Sequence, residues 1–313
     1  MRPVLQQKVP FRAARRAWQA WHAWDGQPPL RPDGPETTPW IQFGLPTGFA
    51  YRKATLPIPG LPAQLEGLRI LHLSDFHLRS HWGRPYDQLI EMVQLNAPDL
   101  ILFTGDFVDS KHDHRPALPL VRRLVPKLRA RLGFYAVQGN HDPDMLLPHL
   151  AEMGVEMITH RRVVLAQGAT QLELIGLGGF IREEFDPDFI RRLPPRRDGD
   201  VRIVLSHYPD LFGMVRALEP DIYLAGHTHG GQICLPGGRP IFSHDSLPKR
   251  LAKGIHRIGS TWYAVSQGMG FSGVPLRLFC PAQCVEFKLV RPIGGQNGQS
   301  PAGQSADNPS ARW

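Results

Sequence analysis

Arg69-Ile70-Leu71-His72-Leu73-Ser74-Asp75-Phe76-His77 is a short apolar run that stops on a carboxylate, with an imidazole two positions further on. The stretch Tyr86–Leu95 that follows has helical spacing, so the run reads as a buried strand feeding a crossover helix. The pattern then repeats. Leu100–Thr104 is a second apolar run, ending at Gly105-Asp106; Leu118–Leu132 is predicted as a helix; Gly133–Gln138 is a third strand, ending at Gly139-Asn140-His141-Asp142. Successive strand, polar loop and helix units predict an α/β fold of βαβ units, with the polar residues at the carboxyl ends of the strands, where ligands of such sheets bind. The second half continues with Leu172–Leu177, Val201–Leu205 before Ser206-His207, and Ile222–Ala225 before Gly226-His227-Thr228-His229. Later strands are predicted at Thr261–Val265 and Cys284–Val290.

The 313 residues divide into four parts around this core. Residues 1–25 read as an amphipathic N-terminal helix, with Phe11, Trp18, Trp21 and Trp24 opposite Arg12, Arg15, Arg16 and Gln19. That stripe suits either a membrane interface or packing on the domain. Residues 26–50 read as a linker, 51–293 as the catalytic domain, and 294–313, rich in Gly, Gln, Ser and Asn, as a disordered tail.

A net charge of +8 invites anionic partners. The clusters at Arg122–Arg131 and Arg191–Arg197 read as solvated faces, and no basic stripe with interleaved aromatics runs through the body of the chain. No specific nucleic acid is therefore expected. The oligomeric state is left open. Cys234, Cys280 and Cys284 are too few for a disulfide framework and read as small core residues in a reducing compartment. No apolar run reaches the ~18–20 residues of a membrane span. The expected location is cytoplasmic, with a peripheral place on the inner face of the membrane, through residues 1–25, as the alternative.

The chemistry lies in the count of strand-end residues. Asp75 and His77, Asp106, Asn140 and His141, His207, and His227 with His229 arrive from five strand ends. Carboxylates mixed with imidazoles suit Mn²⁺, Zn²⁺ or Fe rather than Mg²⁺ or Ca²⁺. There are too many for one tetrahedral ion, and they suit two divalent transition metal ions sharing a carboxylate. The two-residue spacing in Asp75-Phe76-His77 and His227-Thr228-His229 predicts an extended backbone with both polar side chains on one side. His72 reads as a packed strand residue; His81, His112 and His114 read as solvated loop residues.

These blocks, in this order, resemble the calcineurin-like metallophosphoesterases over roughly residues 68–290. Gly226-His227-Thr228-His229-Gly230-Gly231-Gln232 and Gly270-Phe271-Ser272-Gly273-Val274-Pro275-Leu276-Arg277 are similar to a bacterial branch often found at membranes. Some members of that branch cleave the pyrophosphate of a nucleotide-linked diacylated sugar. Where the branch continues with Pro-Glu, this chain has Pro281-Ala282-Gln283.

The resemblance implies a four-layer α/β/β/α sandwich and a phosphoesterase acting through a hydroxide between two metals. Asp75, His77 and His229 would hold one ion, Asn140, His207 and His227 the other, and Asp106 would bridge them. His141 is left over as the candidate general acid. Asp109 resembles the family position whose carboxylate hydrogen-bonds that histidine, with a turn cap as its alternative role. Arg277 is a candidate substrate-binding clamp for a phosphate. The expected partner is a phosphorylated small-molecule or lipid substrate, with soluble nucleotides or phosphoproteins as the alternative. An inactive metal-binding scaffold is the rival of another class; the filled ligand positions argue against it.

Overall fold

The computed structural model describes residues 28–34, 38–168, 170–178, 185–242 and 247–292. The helix expected over residues 1–25 and the tail expected over 294–313 lie outside the described residues. In chain order the strands are β1 (Ile41–Phe43), β2 (Ala50–Pro57), β3 (Arg69–Leu73), β4 (Leu100–Phe103), β5 (Phe134–Ala136), β6 (Val155–Met157), β7 (Arg161–Gln167), β8 (Thr170–Leu177), β9 (Val201–Ser206), β10 (Ile222–Ala225), β11 (Gly254–Ile258), β12 (Thr261–Val265), β13 (Leu276–Leu278) and β14 (Gln283–Val290). The helices are α1 (Arg84–Asn96), α2 (Leu118–Leu124), α3 (Leu147–Glu152), α4 (Pro187–Arg192) and α5 (Phe212–Val215).

The strands form one sheet in the order β2-β14-β3-β4-β5-β6, a second in the order β11-β12-β10-β9-β8-β7, and a two-stranded β1-β13 pair. Neighbours from β3 to β6 are parallel, as the βαβ reading requires.

Side-chain alternation along these strands builds the layers. Leu71, Leu73, Ile101 and Phe103 point to α1, α2 and α3, where Leu89, Val93, Val121 and Leu150 meet them. Their neighbours Ile70, Leu100 and Leu102 point the other way, against Leu174, Ile203, Leu205 and Leu224 of the second sheet. On that sheet's far side Val204 and Tyr223 pack on Phe212 and Val215 of α5. Helix, sheet, sheet and helix are thus joined by three apolar layers, the expected four-layer sandwich. Truncating a central leucine such as Leu102 to Ala would cost about 2–5 kcal/mol.

The expected strands are present, and the differences have local causes. The helix expected over Leu118–Leu132 stops at Leu124 and gives way to a 3-10 turn over Val125–Lys127. Pro126 lacks the N–H a continuing helix needs. Among the described residues of the stretch read as a linker, Leu30 bridges to Ile255, Asp33 bridges to Lys53, and β1 pairs with β13. Among the described residues no helix is long and apolar enough to cross a membrane.

Candidate metal centre

β3, β4, β5, β9 and β10 deliver their following loops to one edge of the sandwich, where the two sheets face each other. Past the strand ends the first two loops stay in register: Asp75 N–H donates to Gly105 O at 2.9 Å and His77 N–H to Asp106 O at 3.1 Å. The backbone there is not extended, contrary to the sequence expectation. Asp75, His77, Asp106, His227 and His229 all have positive φ, between 44° and 69°. The alternation survives in effect, since Phe76 is buried in the helix-side core and Thr228 is buried with its hydroxyl donating to Ala252 O at 2.5 Å. It is produced by left-handed residues flanking one inward anchor rather than by a strand. Such positions are costly for non-glycine residues and concentrate at functional sites.

The loops meet so closely that side chains are excluded between them. A Cβ at Gly139 would stand 2.2 Å from Asp106 Oδ1, and one at Gly226 would stand 2.6 Å from Asp75 Oδ2. In the space so formed, acceptor atoms face acceptor atoms. His207 Nδ1 donates to Thr104 O at 2.6 Å, so in the neutral ring Nε2 is a lone pair. That lone pair faces Asn140 Oδ1 at 3.0 Å and Asp106 Oδ2 at 3.3 Å, with His227 Nδ1 at 3.3 Å.

On the other side of Asp106 the polar atoms are packed as closely. His77 Nε2 is 3.3 Å from Asp106 Oδ2 and 3.0 Å from His229 Nε2, while Asp75 Oδ1 lies 3.6 Å from His229 Nε2. Asp75 Oδ2 is buried without a hydrogen bond of good geometry. Ligand atoms held ~2.0–2.2 Å from one ion stand ~3–3.6 Å from each other, which is the spacing found here. The donor set around Asp106 therefore fits divalent metal binding.

Electrostatics agree with this fit. Burial alone would lower the two histidine pKa values, but carboxylates outweigh it. Asp106 and Asp109 push His77 up to about 10, and Asp106 and Asp75 push His207 up to about 9. Asp106 is held well below the usual carboxylate range because His207 and His77 overcome the effect of its burial. Protons and metal ions compete for the same lone pairs.

Two residues read from the sequence as site residues have their polar atoms engaged in other contacts. The Asp109 carboxylate faces His77 Nδ1 at 3.2 Å and Arg79 Nε at 2.9 Å, with the candidate acid His141 grouped within 4.8 Å of the same pair of Asp109 and His77. It is the Asp109 main-chain carbonyl that accepts from His141 Nδ1, at 2.5 Å. Arg277, expected as a phosphate clamp, is 1% exposed. Its guanidinium donates to Gly270 O at 2.6 Å, Gln267 O at 2.8 Å and Cys280 O at 3.2 Å, and approaches His229 Nδ1 at 3.3 Å. Three carbonyls occupy the fork, which leaves it as a brace behind His229.

Asp142 had no role assigned from the sequence, yet it builds the site. Its oxygens accept from the N–H groups of Asp106 at 2.7 Å, Phe107 at 2.7 Å, Gly139 at 3.1 Å and Val108 at 3.3 Å. Its position directly after His141, in a run of polar strand-end residues, was the available signal. Arg79 carried no signal. His72 donates or accepts at Thr104 Oγ1, 2.9 Å away, as a packed strand residue, and burial lowers its pKa to about 3. The three cysteines are buried and free.

The sequence profile of the calcineurin-like phosphoesterases matches residues 68–231. The chain is 30% identical to the metallophosphoesterase YkuE of Bacillus subtilis over 73% of this chain and 81% of that protein. It is 28% identical to a transmembrane protein with metallophosphoesterase domain from Danio rerio, over 75% of this chain and 56% of that one. It is 26% identical to the UDP-2,3-diacylglucosamine pyrophosphatase LpxG of Chlamydia trachomatis, over 81% of this chain and 93% of that protein. Profile, relatives and the acceptor-lined centre agree: the chain belongs to the calcineurin-like phosphoesterase family and is a metal-dependent phosphoester hydrolase.

Proposed function

We propose that the chain hydrolyses a phosphate ester or pyrophosphate with two divalent transition metal ions, Mn²⁺, Zn²⁺ or Fe²⁺. The observation that carries this reading is the position of Asp106 Oδ2, 3.3 Å from both His77 Nε2 and His207 Nε2. Asp75, His77 and His229 would hold one ion and Asn140, His207 and His227 the other, with Asp106 common to both. Such ions, when bound, supply the Lewis acidity that activates a water and neutralises phosphoryl oxygens.

The protein's own groups do the rest. His141 N–H donates to Asp106 Oδ1 at 2.8 Å, which fixes the carboxylate so that Oδ2 faces the two histidines. Because a carbonyl only accepts, the bond from His141 Nδ1 to Asp109 O keeps a hydrogen on Nδ1. Nε2 is then the ring nitrogen through which His141 would pass a proton to the departing oxygen. Asp109 does the same orienting work for His77 through its carboxylate.

For the substrate we favour a lipid-linked pyrophosphate, with the chain in the bacterial membrane-associated branch marked by Gly226–Gln232. Support comes from the likeness to LpxG along most of both chains. Leu45 and Phe271 line a narrow cleft with His77 and Arg79, next to the candidate ligands. The test is a panel of a monoester, a diester, a nucleotide and a nucleotide-diacylsugar pyrophosphate, with Mn²⁺ supplied. The pyrophosphate should show the highest kcat/KM, and Asp106→Ala should abolish turnover. A higher kcat/KM on the soluble nucleotide would remove the lipid-linked substrate, and no turnover of any member by metal-loaded protein would remove the enzyme reading.

A further inference from the structure

Of the nine exposed large apolar side chains of the described residues, seven fall in three stretches joined to one another, while Leu95 and Met145 stand elsewhere. Ile41, Phe43 and Leu45, then Val274, then Leu235 and Phe242 come from three segments that main-chain hydrogen bonds join into one surface. Gly44 N–H donates to Pro275 O at 2.8 Å, Cys234 N–H to Leu278 O at 2.8 Å, and Ile241 N–H to Ile233 O at 3.1 Å. Trp40, at the rim, stacks on Phe279 with ring centroids 4.9 Å apart.

Strand register separates the two faces of this small sheet. Ile41 pairs with Leu278 and Phe43 with Leu276, so all four share the outer face. Gln42 pairs with Arg277 on the inner face, where both are buried at 2% and 1% exposure and Arg277 reaches His229. Among the described residues Phe43 of the outer face is 74% exposed, and Phe242 of the adjoining segment is 73% exposed. A soluble surface rarely tolerates contiguous apolar area of this kind without a partner.

Charge indicates which partner. Arg239, Lys249 and Arg250 are exposed in the same segments, and Lys249 Nζ donates to Ile241 O at 2.7 Å, beside the apolar face. Between residues 231 and 280 Asp245 is the sole acidic residue against them. A second copy of this chain docked face to face would set these like charges against each other. Gly44 and Leu45 of this surface also line a narrow cleft that reaches His77 and Arg79.

We propose that this face is a docking surface for a bilayer rich in anionic phospholipid. The aromatic and aliphatic side chains enter the headgroup region, the basic residues at the rim meet lipid phosphates, and the cleft opens beside the membrane. This goes beyond the proposed function and does not depend on which phosphate is cleaved.

The test uses the full chain, sedimented with vesicles of phosphatidylcholine alone or mixed with phosphatidylglycerol. The double variant Phe43→Ser/Phe242→Ser should lose binding by about tenfold or more, because two large apolar groups no longer leave water. Its melting temperature and its kcat/KM on a soluble aryl phosphate should match wild type. Arg239→Glu/Lys249→Glu should lose the preference for the anionic vesicles. Binding that survives Phe43→Ser/Phe242→Ser overturns the proposal, as does equal binding of the wild type to both vesicles. A wild-type dimer that the serine variant dissolves, read by light scattering, also overturns it and assigns the face to self-association. Failure on the aryl phosphate bears on the proposed function, whereas sedimentation reads docking without turnover.

Discussion

Replacing Asp142 by Asn keeps the shape of the side chain and changes what its oxygens can accept. In the native structure Oδ2 takes the N–H groups of Asp106 and Gly139, and Oδ1 those of Phe107 and Val108, at 2.7 to 3.3 Å. An amide has one oxygen, so whichever way it turns, two of these N–H groups face another donor. Two hydrogen bonds to a charged acceptor are worth about 1.5–3 kcal/mol each, a gross loss of about 3–6 kcal/mol. Part of this is offset because burial and the neighbouring Asp106 push the Asp142 carboxyl up to about 7, a cost that the amide does not carry. A net destabilisation of about 2–4 kcal/mol is expected, a fall in Tm of roughly 5–10 °C for a domain of this size. The freed N–H groups flank Asp106, so metal affinity should fall together with stability. The assay is thermal unfolding of metal-stripped protein alongside metal content after dialysis. A variant that melts within about 1 °C of wild type and keeps its metal would refute the reasoning, because the four donors would then not depend on the carboxylate.

Asp106→Ala is expected to leave less than one metal per chain by plasma mass spectrometry, and a variant that still holds two would remove the bridging assignment. His141→Ala is expected to keep its metals and to lose about 10²–10⁴-fold in kcat on alkyl esters but far less on nitrophenyl esters; equal slowing on both would leave only substrate positioning. His77 and His207 carry protons below about 10 and about 9 in the metal-free protein, and they ligate only when neutral. Metal binding at neutral pH should therefore release protons and tighten as pH rises, read by calorimetry in buffers of different ionisation enthalpy; pH-independent binding would contradict the assignment. Chelation should lower Tm by several degrees without loss of helix or strand signal, because the loops are tied to each other by main-chain bonds as well; collapse of the far-ultraviolet signal would show that the metals hold the fold.

What the sequence made legible follows from burial. Strands buried on both faces must be apolar throughout, so β3, β4, β9 and β10 announced themselves, and the first polar residues past each marked the site. The fine path of the chain did not follow from that pattern. Asp109 lies three residues past Asp106, and only the ladder between residues 75–78 and 105–109 decides that its carboxylate meets His77 and its carbonyl meets His141. Arg277 carries a phosphate-binding side chain, but β13 pairs with β1 and turns it inward, a register that three-residue strands do not encode by periodicity. Pro126 was readable as a helix stop and was outweighed by the apolar spacing around it.

The cost of this centre is visible in its backbone. Five candidate ligands sit at positive φ, each strained by about 1–3 kcal/mol, somewhat less for the aspartates, which tolerate that region better. Such strain persists only where neighbours over-determine the path, and the neighbours here are specific. Phe76 anchors the first loop in the helix-side core, Thr228 pins the last through Ala252, and Asp142 gathers four N–H groups of the second and third. None of these three groups is a candidate ligand. Their hydrogen bonds and burial hold lone pairs at mutual distances that only a proton or a cation makes comfortable, so the organisation of the site is a property of the fold and precedes the ion that the site receives.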